Sequence, residues 1–293
     1  MNIGEPVALD RFSPEALFVV SGIAQYTGAV IAISMFDEIG PASVAWIRVL
    51  GSAIVLVAIS HRHQHGWTRE QVIAAGVFGI AAALMNLFFY LAIDRIHLGK
   101  SVVIEFIGPI AVAAAFTRTR RNGVALALAV GGVAVLSGVE IDTEPLGLLF
   151  VFLASAMWAA YIVLGRRVAA IDRGLAGLAL GLAIGAIAIA PIGAPGSGPV
   201  WTTPALLASG LLVGVLSNVV GYGIDQHVLR RIPVRRFAVM LALLPVTAMI
   251  VGWIALDQAP TAIDLLGAGL VIAGVLVQER DTLTPTEVEV ATA

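Results

Sequence analysis

SVVIEFIGPIAVAA, residues 101–114, has the apolar character of a membrane-crossing segment, yet it carries Glu105 within its apolar run and Pro109 four residues later. An ionisable group inside a span costs at least ~2.5 kcal/mol, so it is expected to face a cavity or a partner. A proline has no N–H, so the carbonyl four residues earlier loses its helical partner, and here that carbonyl belongs to Glu105. Gly108 loosens the same turn. The stretch predicts a broken helix with an acceptor-rich spot at Glu105, suited to an ammonium group or a proton relay. The break is either a hinge or a packing kink without further role.

The rest of the chain fits a membrane setting. Of 293 residues 59% are hydrophobic and 12% charged, and the mean hydropathy is +0.97, which a soluble domain with a solvated surface does not reach. Stretches long enough to cross a hydrocarbon core of about 30 Å occur at 16–36, 42–60, 71–93, 98–116, 123–138, 146–164, 175–192, 204–224, 237–256 and 262–277. The fifth and tenth are short for a straight span. With the N-terminus in the cytoplasm, fourteen Lys and Arg residues fall on that side, two (Arg95 and Lys100) on the other, and Arg48 within the second stretch. Adding or removing one span would scramble that bias, so the positive-inside rule supports ten spans and cytoplasmic termini. The first apolar run is expected to be retained rather than cleaved as a signal peptide, because more spans follow it. The chain has no cysteine, which excludes disulfides and thiolate metal sites.

Shifting the sequence by 136 residues lays VVIEFIGPIAV over AVMLALLPVTA, so that Pro109 meets Pro245, Gly131 meets Gly267 and Gly138 meets Gly274. Each half then holds five spans. Five is odd, so the second half starts from the opposite face, an inverted repeat of the kind from which secondary transporters are built. The expected organisation is a cytoplasmic segment 1–15, a first repeat 16–138, an outer linker 139–145, a second repeat 146–278 and a disordered cytoplasmic tail 279–293. GLAIG (181–185) and GLLVG (210–214) are expected to pack helices within one subunit rather than to form a dimer face.

Few polar residues lie within the spans. At 1.5 Å per residue, Arg48, Asn86 and Glu105 all lie about 10 Å below the outer surface. Arg48 and Glu105 either neutralise each other inside the bundle or line a cavity in which a guanidinium holds a carboxylate and a carboxylate holds an ammonium or a proton. Pro245 marks the equivalent break in the second half, where Leu241 replaces Glu105, so the site is expected to be asymmetric. Tyr90, Trp158, Tyr161 and Tyr222 are candidates for the path, against a reading as interfacial anchors. Gln25 and Asn218 can bond across helices. Asp225 and His227, just past the eighth stretch, are candidates for an inner gate with Tyr222, or plain interfacial residues. HRHQH (61–65) has no carboxylate or cysteine at ligand spacing, and no metal is expected there. The P-loop, dinucleotide, HExxH and GxSxG patterns are absent, which disfavours ATP-driven pumping and common hydrolase chemistry. A nucleophile and base at one depth are also missing, so no enzyme activity and no cofactor are expected.

The chain resembles EamA-type members of the drug/metabolite transporter superfamily and, more narrowly, bacterial threonine/homoserine exporters. The segments that carry the resemblance are WIRVLGSAIVLVAI, MNLFFYLAIDRIHLGKSVVIEFIGPIAVA, AMWAAYIVLGRR and VLSNVVGYGIDQHVLRRIPVRRFAVMLALLP. It implies an inner-membrane exporter of small amino acids or related metabolites driven by the proton gradient. Its partners would be a small-molecule substrate and the bilayer, with no nucleic acid. Other readings are a carrier of drugs, aromatic metabolites or another small solute, and a non-transporting scaffold or intramembrane enzyme. One departure bears on substrate and coupling ion: those exporters tend to have an acid directly before the second-half proline, and this chain has Leu244.

Overall fold

The computed structural model describes residues 8–61, 66–96, 101, 104–136, 144–171, 175–256 and 260–277. After a 3-10 turn at Ala8–Arg11 come α1 (Pro14–Ile33), α2 (Phe36–Ser60), α3 (Arg69–Ile93), α4 (Ile107–Ala115) and α5 (Arg120–Leu136). They are followed by α6 (Pro145–Ala170), α7 (Ala176–Gly193), the short α8 (Gly198–Thr202) and α9 (Pro204–Leu229), then α10 (Val234–Met240), α11 (Leu243–Leu256) and α12 (Ala262–Val277). No strand occurs among the described residues. Six helices, α1, α2, α3, α6, α7 and α9, are long and apolar enough to cross a membrane, and the chain is an all-helical, polytopic membrane protein. The expected linker at 139–143, residues 62–65 of HRHQH, and the tail from 278 lie outside the described residues.

Helix starts follow local chemistry. Ser13 accepts from the Ala16 N–H at 3.2 Å, Thr68 and Gln71 form a reciprocal capping box at α3, and Glu144 caps α6 at the Gly147 N–H. Proline opens α1, α6 and α9, where its missing N–H costs nothing. Near its start α2 bends at Gly40, whose φ of 69° is a conformation suited to glycine, directly before Pro41.

Outward faces are apolar, with Ile187, Ile263 and Leu266 well exposed, as lipid contact requires. The inner faces pack helix on helix: α3 against α6 and α7, α2 against α7 and α9, α1 against α9 and α11, α4 against α6 and α10, and α5 against α12. Small residues permit the close crossings. A Cβ on Gly79 would collide with the Gly181 carbonyl, one on Gly185 with the Gly79 carbonyl, and one on Gly210 with Ile47. GLAIG and GLLVG therefore serve packing within one subunit.

Two structural details correct the sequence reading. The ninth helix continues past residue 224 to Leu229, so Asp225 and Gln226 lie inside the bundle, each 3% exposed, rather than beyond a span. Hydropathy ends the stretch where polar residues begin, but these are covered by neighbouring helices. The same helix contains a π segment at Val215–Tyr222, a departure often found at functional sites. Both expected breaks occur: residue 106 interrupts the helix before α4, and residues 241–242 separate α10 from α11. Leu241 does not keep an orphan carbonyl, because the Leu244 N–H donates to it at 2.9 Å.

Candidate functional site

The polar residues of the spans converge. Arg48 on α2, Asn86 on α3, Glu105 before the first break, Trp158 and Tyr161 on α6, and Tyr222 and Asp225 on α9 line one cavity of about 120 Å³. Gln25, Tyr26, Phe89, Phe106, Leu241 and Leu244 complete much of its wall. Arg48, Glu105 and Asp225 are 7%, 8% and 3% exposed, so each charge is buried within the bundle. Such burial is tolerated where the groups meet water, a partner or a ligand.

Arg48 is held from two sides. Its Nε donates to Asn218 Oδ1 and its Nη1 to the Tyr90 hydroxyl, each at 3.0 Å, and the guanidinium carbon lies 5.7 Å from the Tyr90 ring centre. Asn218 Nδ2 in turn donates to Ser52 Oγ at 2.9 Å. These bonds fix the guanidinium plane and leave its other N–H groups for a ligand. Tyr90, 1% exposed, is not part of the cavity wall and stands behind Arg48 as its support. Among the described residues no ion pair joins Arg48 to Glu105, and the Glu105 side chain has no hydrogen-bond partner.

Asp225 has a different surrounding. Tyr161 donates to its Oδ2 at 2.9 Å, and Ser21 Oγ faces its Oδ1 at 3.5 Å. Asn86 Nδ2 donates to the Ala82 carbonyl at 2.7 Å and to the Tyr222 hydroxyl at 3.0 Å. Aromatic contacts stiffen this wall: Tyr161 lies 5.0 Å from Tyr222 and 5.1 Å from Phe78 between ring centres, and Phe106 meets Trp158 edge-on at 4.9 Å. Gln25 bonds within its own helix, to Ser21 Oγ at 2.9 Å. Gly108 has a packing task, since a Cβ there would collide with the Ser155 carbonyl of α6.

Tyr222 and Asp225, expected at an inner gate, belong to the same cavity wall as Glu105. What ties the helices together at the arginine-rich end is a set of guanidinium bonds that the sequence reading did not single out. Arg166 donates to the Leu229 carbonyl, Arg230 to the Ile171 carbonyl at 3.0 Å, Arg231 to the Phe12 carbonyl at 3.1 Å, and Arg236 pairs with Glu15 at 2.6 Å. Tyr26 and Ser21 were also missed. Their signal was weak: α1 has few polar residues, and a mid-helix hydroxyl looks like any tolerated packing residue.

Residues 145–278 match the EamA-like transporter family. The chain is 32% identical over 263 residues to the threonine/homoserine exporter RhtA of Escherichia coli K12, covering 89% of each protein. It is 32% identical over 273 residues to RhtA of Salmonella typhimurium LT2, covering 92% of each. A crystal structure of a protein 18% identical in sequence has the same fold, with a TM-score of 0.69 over 90% of this chain and 95% of the other. An all-helical membrane bundle enclosing a charged cavity, with relatives of this identity along nearly its whole length, belongs to the EamA-like transporter family.

Proposed function

We propose that this transporter exports a small zwitterionic amino acid of the threonine or homoserine class across the inner membrane in exchange for protons. The observation that carries the reading is one cavity holding one guanidinium and two carboxylates, of which Glu105 has no hydrogen-bond or ion-pair partner among the described residues. A buried carboxylate without a partner is costly. A proton relieves that cost, and so does a substrate ammonium, but the two compete for the same oxygens. Competition for Glu105 is therefore a coupling device. A proton arriving from outside displaces the ammonium and releases substrate, the empty carrier returns with Glu105 neutral, and inside the proton leaves as the next ammonium binds. Arg48, oriented by Asn218 and Tyr90, takes the substrate carboxylate through its remaining N–H groups.

The proposed frame is ten spans in two inverted halves with cytoplasmic termini, and several features support it. A shift of 136 residues brings the end of α3, Ile93, onto the end of α9, Leu229, and the start of α4, Ile107, onto the start of α11, Leu243. Asn86 and Tyr222, bonded to each other, are counterparts at the same shift, as residues astride a two-fold axis would be. Exchanging the halves also turns the α3–α6 contact into α9–α1 and the α1–α11 contact into α6–α4, while α2–α7 and α5–α12 map onto themselves. Rocking one half against the other about this axis would expose the cavity to each side in turn.

A cavity of about 120 Å³ favours a small solute over drug-sized ligands, whose sites usually span roughly 300–1,000 Å³. The aromatic lining of Tyr26, Phe89, Phe106 and Trp158 favours a second reading, a carrier of aromatic metabolites. The test is uptake or release of a panel of amino acids by proteoliposomes under an imposed pH gradient. Flux of small hydroxylated amino acids that collapses with the gradient is expected; flux of aromatic compounds alone selects the second reading, and no gradient-driven flux at all ends the antiport reading.

A further inference from the structure

Asp225 is the buried charge that the transport cycle above leaves without a task. It lies further along α9 than Asn218, the support of Arg48, and is held by Tyr161 and Ser21, which are 1% and 0% exposed. Only one of its contacts is a firm bond, the 2.9 Å donation from Tyr161 to Oδ2. Ser21 stands 3.5 Å from Oδ1, and its single proton is shared with the Gly221 carbonyl at 3.3 Å. An ionised carboxylate has about four acceptor positions, so Asp225 faces the cavity with unused capacity. Among the described residues no cation pairs with it. Of the neighbouring amides, Asn86 Nδ2 donates to the Ala82 carbonyl and to Tyr222, and Gln25 Nε2 donates to Ser21. A ligand that brings a donor into the cavity can fill the remaining acceptor positions.

We infer that Asp225, held in place by Tyr161 and Ser21, reads the side-chain hydroxyl of the substrate and so determines specificity. The inference rests on the proposed amino-acid export, in which Arg48 and Glu105 engage the α-carboxylate and α-ammonium. With both ends of the zwitterion taken, only its side chain is left to meet Asp225. A small cavity admits a short side chain, and the donor such a side chain carries to an acidic, hydroxyl-lined wall is an O–H group. Sites built to bond a substrate hydroxyl discriminate strongly against its absence, because their own polar groups are then left unpaired. The π segment Val215–Tyr222 ends shortly before Asp225 and turns the following part of α9 differently from an uninterrupted α-helix.

The deoxy counterpart of both threonine and homoserine is 2-aminobutyrate, which allows a direct test. Competing fluxes of threonine, homoserine, 2-aminobutyrate and 2,4-diaminobutyrate are measured in proteoliposomes of the wild type, Asp225→Asn and Tyr161→Phe, with folding checked by thermal unfolding in detergent. The wild type is expected to prefer the hydroxylated substrates over 2-aminobutyrate by at least about 10-fold. Asp225→Asn should bring that ratio close to unity and Tyr161→Phe should lower it partway, both through KM. Amino-acid flux in the wild type with the same ratio in the two variants overturns the assignment and leaves the export reading standing. Preference for 2,4-diaminobutyrate over homoserine overturns it in favour of an ammonium reader. Loss of all flux in a folded Asp225→Asn protein overturns it in favour of a coupling role. Absence of any amino-acid flux in the wild type overturns the export reading and this assignment together. If Asp225→Asn does not fold, Tyr161→Phe and the wild-type ratio decide.

Discussion

The two broken helices have the same backbone plan and opposite chemistry. In the first half the break at residue 106 precedes Pro109, and in the second the break at residues 241–242 precedes Pro245. Both breaks reach the central cavity, which is lined by Glu105 and Phe106 from one side and by Leu241 and Leu244 from the other. A proline fixes where the hydrogen-bond ladder fails, and the side chain set at that level then decides what the opening does. One break supplies a carboxylate that has no partner among the described residues, the other an apolar wall, 1% exposed at Leu241. On the proposed inverted repeat the break is common to both halves while the chemistry at it differs, which predicts that coupling and gating can be separated by mutation.

The largest effect should come from removing the acid from the first break. Glu105→Gln keeps size and burial but can no longer exchange a proton for an ammonium. Its flux is expected to lose all response to a pH gradient, and substrate affinity should fall about 10- to 100-fold, the worth of a charge-assisted hydrogen bond. Leu241→Gln, the same amide at the mirror position, should keep the response to the gradient even where affinity falls. Gradient-driven flux in liposomes containing either variant decides the matter. Equal loss of coupling in both would mean that the two breaks act as one unit and that the asymmetry is not functional.

A smaller effect is expected at Gly108. An alanine methyl would press on the Ser155 carbonyl, and overpacking of this kind costs roughly 1–3 kcal/mol. Gly108→Ala should therefore lower the unfolding temperature in detergent. The second break has Leu244 at the corresponding position, part of the cavity wall, and there the glycine of the close approach sits on the neighbouring helix instead: a Cβ on Gly22 of α1 would collide with Thr247 of α11. A Gly108→Ala protein of unaltered stability with slowed transport would instead make this glycine a hinge.

Much of this was legible in the sequence, for reasons that also explain what was not. Apolar runs locate helices because bilayer thickness sets their length. Glu105 and Arg48 stood out because charges are rare inside spans. Their relation did not: whether two buried charges pair depends on side-chain direction, and Arg48 turns instead to Asn218 and Tyr90. Tyr90 looked like a cavity residue because its position on α3 is close to that of Asn86, yet it faces the guanidinium from behind. Asp225 was placed beyond the membrane because hydropathy cannot distinguish a polar residue in water from one covered by α1 and α6. The guanidinium bonds of Arg166, Arg230 and Arg231 to backbone carbonyls were hidden for a further reason. Arginines at helix ends are expected from insertion topology alone, so their number carries no sign of a closing role.

The smallest effect, and the finest test of the comparison, lies in the prolines themselves. Replacing a proline by alanine restores one N–H, and the consequence depends on whether the carbonyl it would meet is already served. At the second break it is: the Leu241 carbonyl accepts from the Leu244 N–H at 2.9 Å, and the Leu244 carbonyl accepts from Thr247 Oγ1 at 2.8 Å. The new donor in Pro245→Ala would compete with bonds already made, so stability should change by no more than about 1 kcal/mol and turnover by no more than a few-fold. At the first break the restored N–H of Pro109→Ala would reach for the carbonyl of Glu105. Closing that turn would draw Glu105, the proton carrier of the proposed cycle, into a regular helix and so would alter the pH dependence of transport. Pro109→Ala should therefore shift the pH profile of flux while Pro245→Ala leaves its shape alone. Matching profiles in the two variants would show that the backbone break, rather than the acid set upon it, governs access to the cavity.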